Sequence, residues 1–104
     1  MKIMGYVRPD GRVGIRNHTV VIPSSVCAGE VAMRIASHVE GAVALPNQHG
    51  CCQVGADLDL VTNTLIGLGK NPNVAAVLVV GLGCEGVPAK KVAGEIATTG
   101  KRVE

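Results

Sequence analysis

Residues 73–81 read NVAAVLVVG, seven apolar residues in a row between an asparagine and a glycine. A strand with one face in water alternates apolar and polar residues, and this run does not. It fits a parallel strand covered by helices on both faces. Such a strand needs neighbours and covering helices, and the remaining sequence supplies them. HTVVIP (18–23) is a short β-branched run. AGEVAMRIASHV follows, with Ala28, Val31, Ala32, Ile35, Ala36 and Val39 on one helical stripe. GAVALP (41–46) is a second strand. ADLDLVTNTLIGLGK (56–70) sets Leu58, Val61, Leu65 and Leu68 in register and closes at Gly69. A third helix opens near Pro88, carries Ala89, Val92, Ala93 and Ile96 on one face, and stops at Gly100. The order βαβαβα with right-handed crossovers predicts an α/β fold, a three-layer, Rossmann-like parallel sheet.

Ahead of the alternation stands a predicted β-hairpin. KIMGYV and RVGIRN flank RPDG, where Pro9 presets φ and Asp10-Gly11 suits a tight turn. The organisation expected is therefore a single domain over 1–104, with a hairpin at 1–17 and the α/β part at 18–104. The closing KRVE reads as the start of a further strand. The expectation is a truncated domain: a piece of a larger protein, or one that needs a partner. An unfinished sheet edge also predicts a homo-oligomer.

Several function classes are excluded at this level. No apolar run approaches the roughly 18–20 residues of a membrane span, and the start has no apolar signal core. The net charge is +2 without a basic block, and one Tyr is the whole aromatic complement. Nucleic acid therefore finds neither an electrostatic footprint nor stacking platforms. Four cysteines without an export signal point to the cytoplasm, where thiols act as ligands or catalysts more often than as disulfides.

Each strand-to-helix junction carries a cysteine: Cys27 in PSSVC, Cys51 and Cys52 in PNQHGCC, and Cys84 in GLGCEG. In an open parallel sheet these junctions share the carboxyl edge, where ligands bind. If the three strands are neighbours, at about 4.8 Å spacing, three thiols can meet on one ion or cluster. The plainer reading is that free cysteines act as small buried hydrophobes. Of the vicinal pair, Cys51 beside Gly50 is the functional candidate. His49 in the same loop could serve as acid, base or ligand. Arg12 and Arg16 with Asn17 stand just before the first parallel strand, and an arginine fork suits a carboxylate; a solvated hairpin explains the same residues.

A second motif competes. Gly81, Gly83 and Gly86 form G-x-G-x-x-G, with Glu104 eighteen residues beyond Gly86, the pattern of a dinucleotide-binding module. Glu85 places a carboxylate inside the loop meant for pyrophosphate. The motif follows the third strand of the alternation, and Val87-Pro88 opens the next helix with fewer free N–H groups. A glycine turn bringing Cys84 and Glu85 to a shared site explains it as well. A non-catalytic α/β assembly domain is the remaining alternative.

GYVRPDGRVGIRNHTVVIPSSVC, HGCCQVGADLD and NPNVAAVLVVGLGCE, in that order, resemble the catalytic region of the altronate/galactarate dehydratase (UxaA-type) family. The resemblance implies a sugar-acid lyase. It would eliminate water from a polyhydroxy carboxylate such as altronate or galactarate, giving a 2-keto-3-deoxy acid, with ferrous iron. Relatives act on sulfolactate, but the HGCC and GLGCE blocks suggest the altronate type. Family chains are longer, so the resemblance implies further catalytic chain and a small antifreeze-like (SAF) domain or subunit as partners. This chain alone would then be inactive. On this reading Cys27, Cys51 and Cys84 hold iron, as a mononuclear ion or an iron–sulfur cluster. His49 is the acid or base at the leaving hydroxyl, and Glu85 is a second catalytic or ligating group. Arg16 and Asn17 grip the substrate carboxylate, with Asn47 a lesser contact.

Overall fold

The computed structural model describes residues 2–49, 55–83 and 86–104. A short antiparallel pair, β1 (Tyr6–Val7) and β2 (Val13–Gly14), precedes β3 (His18–Pro23). A 3-10 turn (Val26–Ala28) leads into α1 (Gly29–Ser37). Then follow β4 (Ala42–Ala44), α2 (Ala56–Lys70), β5 (Val74–Val80), α3 (Ala89–Ala97) and β6 (Arg102–Val103). The parallel strands form one sheet in the order β4-β3-β5-β6, separate from the hairpin. The α/β class and the leading hairpin thus stand as expected, and KRVE supplies the fourth strand.

The strand order fixes where the helices lie. The step from β3 to β4 goes one way along the sheet, and the step from β5 to β6 goes the other. Right-handed crossovers then put α1 on one face and α3 on the other. The contacts agree: α1 packs on β3 and β4, whereas α2 and α3 pack on each other and on the central strands. Along β3, Val20 and Ile22 face the second side. There they join Leu65, Val74, Val77, Val87, Val92 and Ile96 in the core. With one aromatic residue in the chain, burial of such aliphatic side chains, worth about 1.5–3 kcal/mol each, drives the fold.

Two expectations about helices change. On α1 only Gly29 and Ala32 are buried; Val31, and Val39 just past the helix end, are exposed. On α2 the buried face is Thr62, Leu65 and Gly69, with Leu68 exposed. Gly69 does not end the helix, which continues to Lys70. A Cβ at Gly69 would meet the Cδ1 of Ile96 at 2.3 Å, so glycine here permits the close approach of α3.

The hairpin docks at the amino edge of the sheet. Its turn follows the sequence: the Gly11 N–H donates to the Arg8 carbonyl at 2.9 Å, with Gly11 at φ 88°. Arg8 is 9% exposed. Its guanidinium donates to the carbonyls of Pro72 (2.6 Å) and Arg16 (2.8 Å) and to Oδ1 of Asn17 (2.9 Å). Arg12 donates to the Lys70 carbonyl at the end of α2.

A candidate active site at the carboxyl edge

Strands β4, β3 and β5 are adjacent, so the three cysteine-bearing junctions leave from neighbouring strands. The segment after β4 folds over the one after β3. Asn47 donates from Nδ2 to the Pro23 carbonyl at 2.8 Å, and its Oδ1 accepts the His49 N–H at 2.9 Å. The Val26 N–H donates to the His49 carbonyl at 3.0 Å. From the other side, Ser24 donates both its N–H (2.9 Å) and its hydroxyl (3.2 Å) to the Val80 carbonyl at the end of β5. Backbone and amide bonds thereby tie the exits of β3, β4 and β5 together.

The side chains expected here divide clearly. Cys27 is a free, exposed thiol at the first junction, and His49 is exposed on the neighbouring segment. Asn47 is half-buried and uses its amide to hold that segment in place. It borders a cleft of about 540 Å³ between α1 and the 46–48 segment, lined also by Val26, Gly29, Glu30 and Arg34. That volume accommodates a small organic acid. Cys51, Cys84 and Glu85 lie outside the described residues. Among the described residues, no three His, Cys, Asp or Glu side chains come together to hold a metal.

Arg16 and Asn17 are not brought to this edge. They precede β3, whose six residues at about 3.3 Å each hold them about 20 Å from its carboxyl end. Asn17 accepts a hydrogen bond from Arg8, and the Arg16 carbonyl does the same. Within this chain they anchor the hairpin. Sequence reasoning also passed over Arg8, whose partners lie up to 64 residues away, and Ser25, which no motif distinguished.

Residues 5–104 match the family described as D-galactarate dehydratase/altronate hydrolase, second domain. The chain belongs to that family. It is 50% identical over 101 residues to the (2R)-sulfolactate sulfo-lyase subunit beta of Chromohalobacter salexigens, covering 97% of this chain and 25% of that one. It is 33% identical over 90 residues to the altronate dehydratase of Escherichia coli, covering 77% of this chain and 18% of the relative. It is 30% identical over 91 residues to the altronate dehydratase of Bacillus subtilis, with 78% and 18% coverage. The chain thus spans a quarter or less of the length of these relatives. No solved structure matches it. Identity to the sulfolactate subunit exceeds identity to either altronate dehydratase, contrary to the leaning taken from the cysteine blocks. Among the described residues, no helix is long and apolar enough to cross a membrane.

Proposed function

We propose that this chain forms part of a lyase that eliminates a β-substituent from a 2-hydroxy carboxylate. The family match across residues 5–104 carries the reading. The named relatives' substrates share one chemical frame: a hydroxyl on the carbon beside a carboxylate, and a leaving group on the next carbon. Loss of the α-proton and of that leaving group gives an enol, which tautomerises to a 2-keto acid. A base must take the proton, and the developing enolate needs electrostatic support. His49, exposed directly after the 46–48 segment and lining a neighbouring cleft with Leu60 and Leu68, is the candidate acid or base among the described residues.

The leaving group can be water, as in altronate or galactarate, or sulfite, as in sulfolactate. The 50% identity to the sulfo-lyase subunit favours sulfite. Hydroxide is the poorer leaving group and needs a proton donor, whereas sulfite departs as a stable anion. We further propose ferrous iron at this edge, with Cys27 as its one described ligand and Cys51 and Cys84 as the others. Bound there, iron would act as a Lewis acid on the substrate carboxylate. The rest of the catalytic chain and an antifreeze-like domain or subunit are the partners this reading requires.

The test is an assay of the full-length protein, with its partner subunit where one exists. The substrates are (2R)-sulfolactate, altronate and galactarate, with 2-keto acid and sulfite both measured. The expected result is 2-keto acid and sulfite from sulfolactate, with loss of activity on chelation and recovery with ferrous iron. Absence of 2-keto acid from all three substrates overturns the reading. 2-Keto acid from altronate or galactarate alone reassigns the leaving group to water.

A further inference from the structure

Two consecutive serines follow β3, and the structure treats them differently. Ser24 directs its hydroxyl to the Val80 carbonyl. Ser25 is 1% exposed, and its Oγ has no hydrogen-bond partner. Among the described residues it is the one buried side-chain polar atom in that state. Ser25 stands at the N-cap position of the 3-10 turn, where a serine hydroxyl ordinarily accepts a backbone N–H, yet it makes no such bond. Burying a hydroxyl without a partner is costly, so an orphan of this kind in a folded protein calls for an explanation.

Its position supplies one. The chain leaves β3 toward α1 on one face, and it leaves the adjacent β5 toward α3 on the other. That is the topological switch point of the sheet, where open α/β folds bind their ligands beyond the strand ends. Ser25 lies there, in the turn to which the segment 47–49 is bonded. Two hydrogen bonds flank it, Asn47 Nδ2 to the Pro23 carbonyl and the Val26 N–H to the His49 carbonyl. The segment 47–49, which ends in an exposed histidine, is thus bonded to the chain on both sides of Ser25.

We propose that Ser25 is a substrate-contact residue, its hydroxyl hydrogen-bonding an oxygen of the hydroxy acid when that acid occupies the carboxyl edge. The inference rests on the lyase reading and adds to it the residue that recognises the substrate oxygen. It has a consequence that a structural serine would not share. Replacing a structural serine leaves its partner unsatisfied and lowers stability. Replacing an orphan removes only the unmet desolvation.

The experiment compares wild type with Ser25→Ala in the full-length protein. Melting temperature is measured without ligand, affinity for (2R)-sulfolactate and altronate by calorimetry, and kcat and KM separately. The expected variant melts at the same or a higher temperature. It binds the acid that wild type binds about tenfold more weakly, the loss of one hydrogen bond, with KM raised more than kcat is lowered. Unchanged affinity in the variant overturns the proposal and leaves the lyase reading intact. A fall in melting temperature together with affinity assigns Ser25 a structural role and also overturns it. If wild type binds neither acid, the lyase reading fails and this inference with it.

Discussion

Lys101 shows how one residue can join distant parts of a small fold. It is 7% exposed, and its ammonium donates to the Gly69 carbonyl at 2.9 Å and to the Asn71 carbonyl, closing the end of α2. Burial, with the nearby charges of Arg8 and Arg12, lowers its pKa from 10.5 to about 8. Because the folded-state value lies below the unfolded one, the folded chain binds fewer protons between those two pH values. Stability therefore rises with pH across that window. Chemical denaturation from pH 7 to 10.5 should show wild type gaining stability relative to Lys101→Met, which has nothing to titrate at that position. A difference that stays flat or falls contradicts the assignment. None of this was legible in KRVE, which signalled only a strand. Nor was the role of Asn17, read with Arg16 as a grip on the substrate carboxylate because an arginine fork suits one. Its acceptor belongs to Arg8, a pairing that a linear pattern does not contain.

At the scale of elements, the apolar runs were informative because the physics behind them is local. HTVVIP was bounded by the sequence at the residues that form β3, and RPDG carries its turn chemistry within four residues. Helix faces were read less well. A stripe at helical spacing gives the apolar side, but not how much of it a neighbour covers, hence the exposed Val31 and Leu68. Gly69 suggested a helix stop and instead admits Ile96. Gly14 is a sharper case. A Cβ there would stand 2.0 Å from the Pro72 carbonyl oxygen, a backbone atom that cannot rotate away. Gly14→Ala should lift the hairpin off the α2–β5 turn and cost about 1–3 kcal/mol, the usual range for overpacking. Denaturant unfolding measures the loss, and limited trypsin digestion should cut faster after Arg12 and Arg16. A variant as stable and as resistant as wild type would show that the hairpin contributes little.

Across the whole molecule, β4 and β6 are the edges of the sheet. Beside β4 lies a largely apolar cleft of about 410 Å³, lined by Leu45, Leu60, Val61, Leu65 and Leu68 and also by Asn47 and His49. Leu60 is 67% exposed and Leu68 41%. An open edge next to exposed leucines favours association, either with a second copy or with the further catalytic chain that the proposed function requires. For this 104-residue chain alone, light scattering over a concentration series should give a mass above the monomer. Leu60→Glu with Leu68→Glu should return it to the monomer without lowering the melting temperature, since both side chains already face outward. A monomeric wild type at high micromolar concentration removes the self-association reading. The location of this cleft could not be read from the sequence, because it depends on β3 and not β4 being the strand that pairs on both sides.

The anchoring of the hairpin also sets an order of assembly. Arg8 and its carbonyl partner at Pro72 are separated by 64 positions, and closing so long a loop is entropically expensive until the intervening chain is organised. The hairpin is the first part of the domain to leave the ribosome. Its docking surface at the end of α2 does not exist until that helix has been made and folded, so the segment synthesised first settles last. A nascent chain stalled before residue 70 would leave Arg8 with only its local acceptors, the Arg16 carbonyl and Asn17 Oδ1.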